Sequence, residues 1–368
     1  MAKALKSKSI LKPQSLQFLE NYINNPSPVG FESSGQKLWL DYLKPYVNTT
    51  MVDPYGTAVG IINPKSAFKV VIEAHADEIS WFVNYINPEG LIYLKRNGGV
   101  DHQIAPSQRV FIHGRKGAVK AVFGWPAIHT RINSADSKET QPKVENLFLD
   151  CGARNKQQVE DLGVHVGAVV TYRDGFEEIG YGNYIGRAFD NRVGGFMIAE
   201  VARMLKENKK TLPYGLYIVN AVQEEIGLRG AEMIARRLKP DIAIITDVTH
   251  DTHTPMVNKI IEGDVICGKG PSLAYGPAIH NKLLNIVIDV ASKKKIPVQM
   301  RTVSRSTGTD TDSFAYANDG CPSVLISIPL RYMHTTVEML HRDDIEQTIL
   351  LMYETLLKLS PGTNLNYL

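Results

Sequence analysis

Four apolar runs in this chain end at, or lead toward, a side chain able to hold a metal ion. Residues 68–74 run into His75, 214–223 into the pair Glu224 and Glu225, 241–246 into Asp247, and 323–330 toward His334. In open α/β sheets ligands bind just beyond the carboxyl ends of the strands. Strand ends that converge on one edge would therefore bring these side chains together. Asp190 opens a helical pattern after a stretch of different texture and can join them.

Histidine and carboxylate donors without cysteine suit zinc, cobalt or manganese rather than a thiolate-bound structural zinc. Three ligand carboxylates, Asp190, Glu225 and Asp247, would leave two divalent ions with surplus positive charge. Ions about 3.5–4 Å apart can share one water, lower its pKa toward about 7 and polarise a carbonyl. Asp190 is the natural bridging carboxylate, which leaves Glu224 to take the water's proton. Neighbours on a strand point to opposite faces, so at a turning strand end Glu225 can bind metal while Glu224 faces substrate. The competing reading of the pair is an acidic cap on the helix that follows. Asp77 is two residues from His75 on extended chain and could fix its tautomer. The competing reading there is a polar strand end with no metal.

The elements that must position these groups are legible in the hydrophobic periodicity. Helices are expected over 16–23 and 35–43, then a strand pattern up to Ile62 that is interrupted by a turn at 53–56. After His75 the texture changes: residues 79–184 are rich in glycine and short alternating runs, with strands expected at 109–113, 118–122 and 168–172. From Asp190 onward strands and helices alternate: helix 191–207, strand 214–222, helix 230–238, strand 241–246, helix 282–294, strand 323–328, helix 344–359. Such alternation implies βαβ crossovers. The expected fold is α/β, a mostly parallel central sheet flanked by helices, with an inserted small β-barrel-like domain. Residues 1–78 and 185–368 would form the catalytic domain and 79–184 the insertion.

Composition excludes several function classes. The chain has 368 residues, 43% hydrophobic and 21% charged, so a true core is expected. Lys plus Arg number 41 against 38 Asp plus Glu, a balance that argues against a nucleic-acid partner. The three cysteines, Cys151, Cys267 and Cys321, are odd in number and far apart, as idle thiols in a reducing compartment would be. No apolar run approaches the ~20 residues that span a bilayer, and the basic N-terminus lacks a signal peptide's apolar stretch, so a cytoplasmic protein is expected. The segment 263–269 is near a phosphate-loop spacing, but Gly270 replaces the required hydroxyl residue. His102, His113, His129 and His165 lie in the insertion and read as surface or satisfied polar groups. His280 reads as a loop residue that could line the cleft. Arg331 could reach a substrate carboxylate or carbonyl.

Five segments in order carry a family resemblance: Ala74-His75-Ala76-Asp77-Glu78, Gly186-Arg187-Ala188-Phe189-Asp190-Asn191-Arg192, Gln223-Glu224-Glu225-Ile226-Gly227-Leu228-Arg229-Gly230-Ala231, Thr246-Asp247-Val248, and Ile328-Pro329-Leu330-Arg331-Tyr332-Met333-His334-Thr335. Together they resemble the glutamyl and tetrahedral aminopeptidase family of two-metal exopeptidases. The resemblance implies one metal held by His75 and Asp247, another by Glu225 and His334, and Asp190 between them. Zinc or cobalt is the implied metal. Glu224 would be the general base and Asp77 would orient His75. The substrates would be peptides, cut at their N-terminal residue, and the insertion would mediate a homo-oligomer, commonly a dodecamer in relatives. The loop Gly308-Thr309-Asp310 would lie near the substrate. Two departures, the bulky Ile79-Ser80-Trp81-Phe82 and the extra acid in Thr309-Asp310-Thr311-Asp312, bear on packing and substrate preference. A metal-dependent deacylase of small amides and a glycoside hydrolase are the alternative enzymes. A glycosidase would use paired carboxylates and need neither histidine. A non-catalytic assembly or binding protein built on this fold is the remaining alternative.

Overall fold

The computed structural model describes residues 9–132 and 141–368. Residues 1–8 of the expected catalytic domain and 133–140 of the expected insertion lie outside the described residues. The first strands are β1 (Thr49–Val52), β2 (Ala58–Ile62) and β3 (Lys69–His75). Six more, β4 (Ser80–Ile86), β5 (Ile92–Asn97), β6 (Arg109–Gly114), β7 (Gly117–Phe123), β8 (Phe148–Asp150) and β9 (Val169–Tyr172), close an antiparallel barrel. Two short strands, β10 (Glu177–Ile179) and β11 (Asn183–Gly186), lead the chain back. Then come β12 (Gly215–Ala221), β13 (Ile242–His250), β14 (Ser272–Tyr275), β15 (Gln299–Thr302), β16 (Ser323–Leu330) and β17 (Glu338–His341).

The main sheet runs β1-β2-β12-β3-β13-β16-β14-β15. Its centre is parallel: β12 with β3, β3 with β13, and β13 with β16. These strands read as continuous apolar runs because both faces are covered, and every residue of β12 and β16 is buried. The helix Phe189–Glu207 lies against β3 and β13, with helices Pro13–Asn24, Ser33–Leu43 and Arg342–Lys358 packed around it. It is buried from Phe189 to Leu205, unlike a surface helix with one apolar stripe. Its buried charges are paired: Arg203 bonds Glu200, and the Arg192 guanidinium stacks 4.1 Å from the Tyr22 ring centroid.

The barrel has a separate apolar core that includes Trp81, Val110, Ile112, Phe123, Leu149 and Val170. The bulky Trp81 is accommodated there, with its indole N–H donated to the Tyr172 hydroxyl at 3.3 Å. The turn 114–117 joins β6 to β7 as its glycines suggest.

One expected boundary differs in a way that matters. Strand β13 does not stop at Thr246 but continues to His250, paired with β16 as far as His250↔Leu330. On its other flank the pairing with β3 stops at Ile245↔Glu73. The sheet therefore splits between β3 and β13 while each strand remains tied to its outer neighbour. Asp247 lies inside a strand, facing the crevice opened by the split, rather than beyond the strand's end.

Candidate metal centre

The split is filled by the start of the helix Phe189–Glu207. Asn191 donates its side-chain amide to the Thr246 carbonyl at 2.8 Å and accepts the Gly194 N–H at 3.2 Å. Glycine is required at 194 because a Cβ there would meet the Ala74 Cβ at 2.8 Å. This close approach brings Asp190 to the end of β3. Below the site the chain is clasped where the insertion leaves and returns: Arg187 pairs with Glu78, whose other oxygen accepts the Ser27 N–H at 2.7 Å.

Asp190 faces both histidines. Its Oδ1 lies 3.2 Å from His75 Nε2, and its Oδ2 lies 3.2 Å from His334 Nε2. His75 Nε2 is also 3.8 Å from Asp247 Oδ1 and 3.9 Å from Glu224 Oε2. His334 Nε2 is 3.4 Å from Glu225 Oε1. Two groups of possible donors result, His75–Asp190–Asp247 and Asp190–Glu225–His334, each with its ligand atoms within 4.8 Å of one another. They share Asp190. A third grouping joins His75, Glu224 and Glu225.

The supporting shell is partly unforeseen. Asp77 lies 3.5 Å from His75 Nδ1, beyond a good hydrogen bond, and its two oxygens instead accept the backbone N–H groups of Glu224 and Glu225 at 3.0 and 3.1 Å. Those two glutamates sit on a short 3-10 turn, Glu224–Ile226, entered through Gln223 in the left-handed region. The acidic-cap reading of the pair thus gives way to a turn that is itself capped by Asp77. The second support is Glu338 on β17, buried, whose carboxylate accepts the N–H of Asp190 at 3.1 Å and of His334 at 2.9 Å. Its position four residues after His334 carries no pattern that marks it. Left-handed backbone at Ala188, Gln223, Tyr332 and His334, none of them glycine, clusters around the centre. Such conformations persist where the surrounding structure over-determines them.

The electrostatics favour cations. Burial, opposed by His75 and reinforced by Asp310, Asp247 and Glu225, pushes the Glu224 carboxyl up to about 10. Asp247 is raised to about 7, chiefly by burial. Burial works against the charge of His334, yet Asp190 and Glu225 hold it up to about 12. The same balance, with Asp190 and Asp77, holds His75 well above its ordinary value. Carboxylates this crowded want positive charge between them, and the imidazoles alone supply too little. Divalent metal ions fit this donor set.

The centre opens into a cleft of about 590 Å³ lined by Val248, Thr249, Arg301, Thr307, Asp312 and Met333 among others. The 308–310 loop divides there. Gly308 and Thr309 line the cleft, whereas Asp310 is buried behind it, where its carboxyl interacts with that of Glu73. Arg331 is not among the residues lining the cleft, and its Nε donates to the buried Asp251 carboxylate at 2.8 Å. His280 lies outside the cleft lining and stacks on Tyr367 with ring centroids 4.4 Å apart.

Comparison with known proteins gives a family and solved structures of the same fold. The family model for M42 glutamyl aminopeptidase matches residues 56–351. The lysyl aminopeptidase of Pyrococcus furiosus is 30% identical over 94% of this chain and 97% of its own length. Among solved structures, the TET aminopeptidase of the marine sediment archaeon Thaumarchaeota archaeon SCGC AB-539-E09 superposes with a TM-score of 0.90 at 30% identity, over 95% of this chain and 98% of that one. The Pyrococcus horikoshii TET1 peptidase shares the fold at a TM-score of 0.82 and 24% identity, over 92% and 98% of the two chains.

Proposed function

The chain belongs to the M42 glutamyl aminopeptidase family, and from that premise we propose how its own residues carry out the reaction. It is an aminopeptidase, a hydrolase of peptide bonds, and peptidases of this family are metal-dependent. His75 and Asp247 would hold one ion and Glu225 and His334 the other, with Asp190 placed to serve both. The observation that carries this assignment is the orientation of Asp190, one oxygen toward each histidine at the same 3.2 Å. Ions bound there, for which zinc or cobalt is our choice, would supply the Lewis acidity that acidifies a water and polarises the scissile carbonyl.

Glu224 acts as the general base. It lies 3.9 Å from His75, carries no ligand role in the assignment, and projects into the cleft from the turn fixed by Asp77. A carboxylate in that position can take a proton from water and deliver it to the leaving amine. Asp77 and Glu338 hold the backbone that aims the donors.

We further assign residues 1–78 and 185–368 to the catalytic domain and 79–184 to an assembly domain. The Pyrococcus horikoshii TET1 peptidase is described as assembling into a tetrahedron or a large octahedral shell. In this chain the barrel region exposes Tyr85, Val122, Ile128, Leu162 and Val166, apolar side chains that self-association would cover. A homo-oligomer, a dodecamer in our reading, is tested by sedimentation of the intact protein and of a variant with Tyr85 and Val166 changed to serine. No described helix is long and apolar enough to cross a membrane. The free thiols Cys151, Cys267 and Cys321 support a cytoplasmic location.

The decisive experiment measures hydrolysis of aminoacyl-p-nitroanilides after chelation and after restoring zinc, cobalt or manganese, with metal content determined in parallel. Wild type should lose activity and regain it. Glu224→Gln should bind two ions per subunit and turn over at least about 100-fold more slowly. Near wild-type turnover in that variant would remove Glu224 from its role, and a stoichiometry of one would remove the two-ion arrangement.

A further inference from the structure

The insertion does more than meet the catalytic domain at its two ends. As β5 finishes, its chain runs through Asn97-Gly98-Gly99, and these two glycines lie against the two donors assigned to one ion. A Cβ on Gly98 would stand 3.3 Å from the Glu225 Cβ and 3.5 Å from the Glu225 carbonyl oxygen. A Cβ on Gly99 would stand 3.0 Å from both Cε1 and Nδ1 of the His334 ring. Gly98 also has φ +84°, in the left-handed region that favours glycine. The segment is pinned from behind. Asn97 is buried, and its side-chain amide donates to the Val29 carbonyl at 2.9 Å and to the Ser80 hydroxyl at 2.8 Å. The Val29 N–H in turn donates to the Glu78 carbonyl at 3.1 Å. The loop, the first barrel strand and the N-terminal segment of the catalytic domain are thus tied together at one point.

The two assigned ion positions are not supported alike. His75 is the last residue of β3 and Asp247 lies within β13, so both belong to the main sheet. Glu225 and His334 stand on no strand: one is on the 3-10 turn Glu224–Ile226, the other on the chain between β16 and β17. The His75 side chain is 2% exposed and therefore enclosed, whereas that of His334 is 32% exposed. Glu338 fixes the backbone N–H of His334 but not its ring. The ring turns Nε2 toward Asp190 and Glu225, and its Nδ1 side toward Gly99. An imidazole ligand is aimed by what holds the rest of the ring, since ring orientation sets the direction of the donor lone pair.

We propose that Gly98 and Gly99 are positioning residues of the metal centre, through which the insertion forms the outer wall of the Glu225–His334 ion position and not of the His75–Asp247 position. The proposal rests on the reading of the metal centre given above. The main sheet by itself specifies one ion position; the other is completed by chain that belongs to the barrel. Glycine permits this because nothing larger fits between the loop and the ring. A methyl group at residue 99 would sit tighter on the imidazole than side-chain carbons ordinarily do, and the ring would have to yield. Donor distances in metal sites hold to within about 0.2 Å, so a small displacement of the ring weakens the ion it serves. His75 and Asp247 make no such contact with either glycine.

The test titrates cobalt into the metal-free full-length protein and follows heat and visible absorption. Wild type should take up two ions per subunit, and His334→Ala should lose one of them. Gly99→Ala should weaken one ion by about 10–100-fold, with a changed visible spectrum, and leave the other at wild-type affinity. Asn97→Ala, which frees the loop instead of crowding the ring, should act on the same ion. Adding Gly99→Ala to His334→Ala should cost nothing further, because the ring it acts on is gone. Wild-type affinity for both ions in Gly99→Ala would overturn the proposal. So would an equal loss at both ions, or a loss of the same size with and without the His334 side chain, either of which makes Gly99 a merely structural residue. If His334→Ala holds two ions at wild-type affinity, the reading of the metal centre fails and the wall with it. If His334→Ala loses an ion while Gly99→Ala loses none, the wall alone fails.

Discussion

Glu338 accepts the backbone N–H of His334 at 2.9 Å, from a strand that begins four residues later in the chain. Its second oxygen accepts the N–H of Asp190 at 3.1 Å, so one buried carboxylate fixes the backbone at two assigned donors. In Glu338→Gln only one of the two side-chain positions can accept an N–H; the other is itself a donor and opposes the amide it faces. Outer partners of metal ligands typically contribute about 10–100-fold to metal affinity. We expect a loss of that size, read by competition with a chelator, while far-ultraviolet circular dichroism is unchanged. Wild-type metal affinity in the variant would show that His334 and Asp190 hold their places without Glu338.

Asp77 supports the other half of the site. Its carboxylate accepts the amides of Glu224 and Glu225, the assigned base and an assigned ligand. Asp77→Asn places an amide donor against a backbone donor and should turn the 224–226 segment away from the cleft. A fall in kcat of about 10–100-fold is expected, together with weaker metal binding. A change in KM alone would mean that Asp77 acts on substrate and not on the turn.

Gly194→Ala tests the packing that brings Asp190 to the end of β3. The added methyl would crowd Ala74 at 2.8 Å and also the Asn191 side chain, in a region with no free space. Overpacking of this kind costs about 1–3 kcal/mol, measurable by urea unfolding. Activity should fall further than stability alone explains, because Ala74 immediately precedes His75.

Asp251 gives a pH-dependent prediction away from the metal. Burial would raise its carboxyl, but the Cys267 N–H, the Arg331 guanidinium and the His253 N–H outweigh it and hold the value below the ordinary one. A carboxyl lowered on folding stabilises fully above its unfolded value, near pH 4, and the contribution is lost as pH falls through the folded value. Asp251→Asn should cost about 1.5–3 kcal/mol at pH 7, as lost hydrogen bonds to a charged group do. The gap between wild type and variant should narrow below pH 4. A constant gap from pH 7 to pH 3 would mean that Asp251 is not the group titrating.

The fold class and the candidate donors were legible in the sequence for the same reason. Buried parallel strands are unbroken apolar runs, and the polar residue that interrupts such a run marks the edge where a site can form. His75 and the Glu224-Glu225 pair stand at such edges. Asp247 does not, because pairing with β16 carries β13 past it to His250, and nothing local announces where a neighbouring strand lets go. Glu338 was illegible for another reason. Its role comes from two backbone amides that other parts of the chain leave unpaired. Arg331 shows a related limit, since nothing beside it in the sequence announces that its Nε pairs with Asp251, 80 residues away.

The insertion also orders events in time. His75 and Asp190 are 115 residues apart, and the barrel is made between them. A growing chain that has released β3 carries one of the five assigned donors, and the other four arrive only after the barrel strands have been synthesised. The Glu78–Arg187 clasp can close only when the barrel has brought its two ends together. A chain that stalls or misfolds within the barrel therefore cannot assemble the shared carboxylate between its histidines. Proteolytic competence is thereby withheld from the nascent polypeptide until its largest detour in sequence has been completed.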